Sequence, residues 1–157
     1  MNILIIEDNP GDIMLARKAI NNHAKKSLQV MDVDNGKDAI AFISKTNGYE
    51  NVFTPDLIFL DWTIPIIHGS EVLYFIKSQP EYSLIPVIVF TTSGRESDMV
   101  QSYLWHANAY IKKPDDYWKL DEMMGNIIRF WSMISRPGTQ HIKAYIAEQQ
   151  SQTVNLH

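Results

Sequence analysis

Four short apolar runs in this 157-residue chain stop at side chains that could handle a phosphoryl group. Ile3 to Ile6 lead into Glu7 and Asp8, and Leu57 to Leu60 into Asp61. Ile85 to Phe90 lead into Thr91, and Ala109 to Ile111 into Lys112 and Lys113. An aspartate carboxylate is a nucleophile toward phosphorus. A lysine offers the phosphoryl oxygens a point positive charge, and a hydroxyl offers a hydrogen-bond donor. Three carboxylates in one crevice repel one another unless a cation or a proton relieves them. An all-oxygen set of that kind suits Mg²⁺, which takes one or two carboxylates and keeps several waters. The assembled chemistry is Mg²⁺-dependent phosphorylation of Asp61, with Thr91 and Lys113 at the phosphoryl group and Glu7, Asp8 and Asp61 around the metal. Taken singly, Glu7-Asp8 fits an exposed loop, Thr91 a strand-end cap and Lys113 a solvated lysine. Their joint occurrence at run ends carries the reading.

That chemistry requires the run ends to meet in space, and the pattern of elements supplies a way. Leu57 to Leu60, bounded by Pro55 and Pro65, is too short and too evenly apolar for a helix, so it reads as a strand buried on both faces of a parallel sheet. Ile3 to Ile6 reads the same way, and Leu28, Val30 and Val33 suggest a second strand. Helical spacing appears in Ile13, Leu15-Ala16 and Ala19-Ile20, with Lys25-Lys26 beyond its end, and again in Ala39-Ile40 and Phe42-Ile43. Val72-Leu73 and Phe75-Ile76 mark a third helix, closed at Gln79-Pro80. A fourth helix is expected from Glu96 to His106, and a last one from Asp115 or Asp116 toward Ile134. Strand and helix alternate five times, the signature of an α/β domain with helices on both faces of a parallel sheet. The carboxyl ends of all its strands lie on one edge, where such sheets place their ligands.

Composition narrows the rest. The length suits one domain, residues 1–135, followed by an extension over 136–157 with no output domain expected. Without a cysteine there is no disulfide framework and no Cys-based zinc or redox site. A net charge of −4 and basic residues that form only doublets argue against nucleic acid. The amino terminus lacks a positively charged lead and meets acids after four apolar residues, so neither a signal peptide nor a membrane span is expected, and the protein reads as cytoplasmic.

Ile-Glu-Asp-Asn-Pro at 6–10, Leu-Asp-Trp-Thr-Ile-Pro at 60–65, Thr91, and Tyr-Ile-Lys-Lys-Pro at 110–114 together resemble a response-regulator receiver domain, from about Met1 to Ser135. The resemblance implies a flavodoxin-like five-stranded sheet of order 2-1-3-4-5. It implies Asp61 as phosphoacceptor for a sensor histidine kinase, Glu7 and Asp8 as the acidic pair, and Thr91 and Lys113 at the phosphoryl group. The backbone carbonyl of Thr63 joins the metal ligands, Tyr110 and Thr91 form a switch, and a cis bond precedes Pro114. Two positions depart from the family: His68 stands before Gly69 where Asp is common, and Thr63 where Asn is frequent.

A narrower resemblance, carried by Asn9-Pro10-Gly11-Asp12, Phe90-Thr91-Thr92-Ser93, Ala107 to Ile111 and Phe130-Trp131, is to stand-alone receivers paired with bacterial phytochrome kinases. Those tend to be dimers. Adjacent helix positions are about 100° apart, so one core-facing stripe does not bury both Phe130 and Trp131. They, with Tyr110, are the expected interface of a homodimer that signals to an unidentified downstream protein. A phosphatase of the haloacid dehalogenase type uses similar groups but expects a second Asp two residues after the nucleophile, where Thr63 stands.

Overall fold

A computed structural model of the chain describes residues 1–24 and 28–133. Lys25-Lys26 and the extension from residue 134 onward lie outside the described residues. The elements alternate as β1 (Asn2–Ile6), α1 (Pro10–His23), β2 (Gln29–Val33), α2 (Gly36–Ser44), β3 (Leu57–Leu60), α3 (Gly69–Ser78), β4 (Val87–Thr91), α4 (Glu96–Leu104), β5 (Ala109–Lys112) and α5 (Tyr117–Met133). The strands form one sheet of order β2-β1-β3-β4-β5, every pair parallel. This is the expected flavodoxin-like order.

Side chains alternate across a strand, so consecutive apolar residues feed opposite faces. Ile3, Ile5, Leu57, Phe59, Ile88 and Phe90 pack on one face under Ala16, Ala19 and Ile20 of α1 and Leu120, Met124 and Ile128 of α5. Leu4, Ile6, Ile58, Leu60, Val87 and Val89 pack on the other under Phe42 and Ile43 of α2 and Val72, Leu73 and Ile76 of α3. Each fully buried side chain of this size contributes about 1.5–3 kcal/mol. An exposed ion pair such as Arg17 with Asp32, the two side chains 38% and 30% exposed, contributes at most about 1 kcal/mol. The two apolar layers therefore hold the domain together.

The boundaries differ from expectation where backbone chemistry intervenes. Ile85 and Pro86 precede β4 rather than belonging to it. Pro86 has no N–H for the ladder, though its carbonyl accepts from Ile58 N–H at 3.0 Å. The fourth helix ends at Leu104, and His106 turns out of it with φ of 64°. The last begins at Tyr117, because Asp116 serves its start instead, accepting from Lys119 N–H at 3.1 Å. Pro10 occupies the first turn of α1, where its missing N–H costs nothing, and Asn9 caps that turn by accepting from Gly11 and Asp12 N–H. The peptide bond between Lys113 and Pro114 is trans, in contrast to the cis bond implied by resemblance. The two isomers differ by only about 0.5–1 kcal/mol before proline, so surrounding contacts decide between them.

Candidate functional site

Asp61 follows the last residue of β3, and its N–H donates to the Ile6 carbonyl at 2.9 Å, which sets it beside the end of β1. The chain then turns sharply. Thr63 N–H donates to Asp61 Oδ1 at 3.1 Å, and Gly69 N–H returns to the Trp62 carbonyl at 3.1 Å. A side chain at position 69 would collide with the backbone of Asp61 and Trp62, so only glycine lets α3 begin this close to the carboxylate. His68 caps that helix, its Nδ1 accepting from Ser70 N–H at 3.2 Å, while its ring stands edge-on to the buried Trp62.

Lys113 crosses from the end of β5 into the centre of this group. Its ammonium donates to Asp61 Oδ2 at 2.7 Å, to Asp12 Oδ2 at 2.7 Å and to Glu7 Oε2. Burial works to lower the lysine's pKa, but hydrogen bonds to Asp12, Asp61 and Glu7 outweigh it and raise it above the ordinary value. Burial also works to raise Asp61, yet the hydrogen bonds from Lys113, Thr91 and Thr63 N–H hold its carboxyl below the usual range. At Glu7 burial wins, and the carboxyl is pushed up to about 7. Three carboxylates share one ammonium, and burial raises the pKa of Glu7 while hydrogen bonds hold that of Asp61 down.

The predicted residues do not all converge. Glu7, Asp61, Thr91 and Lys113 are buried together, whereas Asp8 faces solvent and makes no bond to Lys113. Among the described residues no three acidic or histidine side chains stand assembled as a metal cage. The donors on offer at the ends of β1 and β3 are nevertheless all hard oxygens. That fits an ion which takes one or two carboxylates and completes its shell with water. Asp12 was not anticipated as part of the site. Its only sequence signal is an acid in the first turn of a helix, which the helix dipole alone would explain.

Thr91, fully buried at the end of β4, helps its neighbours hold the Asp61 carboxyl below the usual range, and its hydroxyl accepts from Ser93 N–H at 3.2 Å. Ser93 in turn donates its hydroxyl to Asp98 Oδ2 at 2.6 Å, and its carbonyl accepts from Tyr110 Oη at 3.0 Å. A line of hydrogen bonds thus runs from Thr91 through Ser93 to Tyr110. Tyr110 packs partly buried against the α2 and α3 layer rather than on the last helix. Phe130 is 51% exposed, while Trp131 packs in part on the α1 and α5 layer, with the two rings 5.3 Å apart. The expectation that one stripe would not bury both is met.

The site defines an α/β domain with a strand-end aspartate that meets a lysine following β5 and a threonine ending β4 at one edge of a parallel sheet. The model of the response regulator receiver domain matches residues 3–125, and the chain belongs to that family. It is 36% identical over 129 residues to response regulator Rcp1 of Synechocystis sp., covering 82% of this chain and 87% of that protein. Two solved structures are similar. The phosphorylated cyanobacterial phytochrome response regulator RcpA is 37% identical with a TM-score of 0.82, covering 86% of this chain and 96% of that one. The Mn²⁺-bound form of Rcp1 is 34% identical with a TM-score of 0.79, covering 85% and 95%. Among the described residues no helix is long and apolar enough to cross a membrane.

Proposed function

We propose that this chain is a phosphorylation switch: Asp61 accepts a phosphoryl group from a partner histidine kinase, and the change is signalled through Thr91 and Tyr110. The observation that carries the reading is the 2.7 Å contact from the buried Lys113 ammonium to Asp61 Oδ2, made on a carboxylate that is itself buried at the strand end. An Asp61 oxygen attacks phosphorus, a P–O bond forms, and the P–N bond of the donor phosphohistidine breaks with its electron pair leaving on the imidazole nitrogen. Lys113 and Thr91 then receive the phosphoryl oxygens. Mg²⁺ held by Asp8, Asp61 and the Thr63 carbonyl, with Glu7 behind them, would neutralise charge on the transferring group. No turnover of a small substrate is expected, only slow loss of the phosphoryl group.

The kinase is proposed to be of the phytochrome type, because the chain is similar to the cyanobacterial phytochrome response regulator RcpA. The remaining elements of the proposal are a receiver over residues 1–135, an extension beyond it, a cytoplasmic setting, a homodimer through Tyr110, Phe130 and Trp131, and a downstream protein partner. Phosphotransfer from a set of histidine kinases, followed by intact-protein mass, tests it. Gain of one phosphoryl group that Asp61→Asn abolishes is the expected result, and absence of any gain from every kinase and from acetyl phosphate refutes it. Metal binding has a separate test. Millimolar Mg²⁺ should raise the thermal midpoint by mass action, and Asp8→Ala should remove the response.

A further inference from the structure

Lys113 has three N–H donors and no acceptor, and each donor is matched to a carboxylate on a different part of the fold. Glu7 follows β1, Asp61 follows β3, and Asp12 belongs to the first turn of α1. Glu7 and Asp61 are buried with side chains 5% and 7% exposed, but the Asp12 side chain is 32% exposed and approaches from the solvent side. Two anchors leave a flexible lysine free to pivot, and a third fixes the nitrogen in space.

We propose that Asp12 is a positioning residue for phosphoryl transfer: it fixes the Lys113 ammonium so that one N–H stays aimed at Asp61. The inference rests on the phosphoacceptor reading above. As the Asp61 oxygen enters the P–O bond, the N–H that faced it passes to a phosphoryl oxygen. The contacts to Glu7 and Asp12 need not change, so the charge is already in place when phosphorus arrives, and orientation of this kind supplies much of the rate in phosphoryl transfer. A purely architectural role fits poorly. The side chain is still 32% exposed and lies outside the apolar core, and the α1 cap, from Asp12 N–H to Asn9 Oδ1 at 3.2 Å, uses only the Asp12 backbone.

The test compares wild type, Asp12→Asn and Asp12→Ala in phosphorylation by acetyl phosphate with Mg²⁺, alongside the NMR signal of the Lys113 ammonium protons. In this reaction the carboxylate forms the new P–O bond and acetate leaves with the electrons of the old one. Asp12→Ala should slow phosphorylation roughly tenfold or more, as loss of one hydrogen bond to a charged group predicts, and should broaden the ammonium signal. Asp12→Asn, which keeps an acceptor oxygen, should fall between; if the alanine variant does not fold, it carries the comparison. Phosphorylation at the wild-type rate, or a slowed rate with an unchanged ammonium signal, overturns the proposal. A wild type that takes no phosphate would instead overturn the phosphoacceptor reading, leaving the ammonium signal to judge the tether.

Discussion

Lys113 is outnumbered three to one by the carboxylates it touches, and the residues around it decide how a phosphorylated state would fare. Hydrolysis of an aspartyl-phosphate needs a water held in line with phosphorus. By the resemblance to receiver domains, the side chains expected to hold it are Thr63, two residues after Asp61, and Ser93, two after Thr91. Thr63 is short and exposed, and the Ser93 hydroxyl is already donated to Asp98 at 2.6 Å. The phosphoryl group should therefore persist. The double change Thr63→Asn, Ser93→Glu supplies longer polar side chains and should speed decay by roughly tenfold, a modest share of what positioning a reactant can supply. Decay of phosphorylated protein with Mg²⁺, no faster in the double variant than in wild type, would end this argument. The same residues show how far the site is legible in sequence. Asp61, Thr91 and Lys113 stand out because each ends an apolar run. Asp12 does not, since its bond to Lys113 spans 101 residues and depends on how α1 is rotated against the sheet.

At the scale of elements, the β3 to α3 connection carries both Asp61 and the turn that aims it. Gly69→Ala would press a methyl group into the Asp61 and Trp62 backbone. Overpacking of this kind costs about 1–3 kcal/mol, so chemical denaturation should show a lowered midpoint, and phosphorylation should fall with it because the displaced backbone belongs to the proposed phosphoacceptor, Asp61. A second connection is pinned at the opposite sheet edge. The Lys77 ammonium of α3 donates to the Ser83 and Ile85 carbonyls and to Asn108 Oδ1 at 3.1, 2.8 and 3.2 Å, with no carboxylate among these acceptors. Burial lowers its pKa to about 8 from 10.5. The unfolded chain therefore binds more protons between those values, so this group's contribution to stability is present above 10.5 and is lost as pH falls through 8. Lys77→Met should remove that slope from the stability profile between pH 8 and 10.5, and parallel profiles for the two proteins would show that the lysine is not enclosed as described. Apolar runs and turn residues reveal such elements in sequence. Their ends are less legible, because the end of β4 depends on the Pro86 carbonyl serving a neighbour and the start of α5 on a side-chain cap.

For the molecule as a whole, two apolar layers are complete while part of its outer surface is not. Phe130 and Met133 leave 51% and 71% of themselves exposed, and Met99, Val100, Tyr103 and Leu104 of α4 are all at least 37% exposed. Surfaces of this kind mark association sites. Self-association should appear in sedimentation at micromolar concentration and weaken with Phe130→Ser, and a monomer at every concentration would count against the proposed dimer. The sheet order has one more consequence, which concerns time. Chains are made from the amino end at about 5–20 residues per second. β1 is among the first parts to emerge, yet it lies between β2 and β3, and Asn2 N–H must wait for Asp56, 54 residues later, to receive it. The layer over Ile3 and Ile5 waits longer still, because α1 is joined there by α5, whose Leu120, Met124 and Ile128 are among the last described residues to be made. During synthesis the part of that apolar face which α5 covers stays bare until those residues emerge, and a ribosome stalled before Leu120 would hold it so.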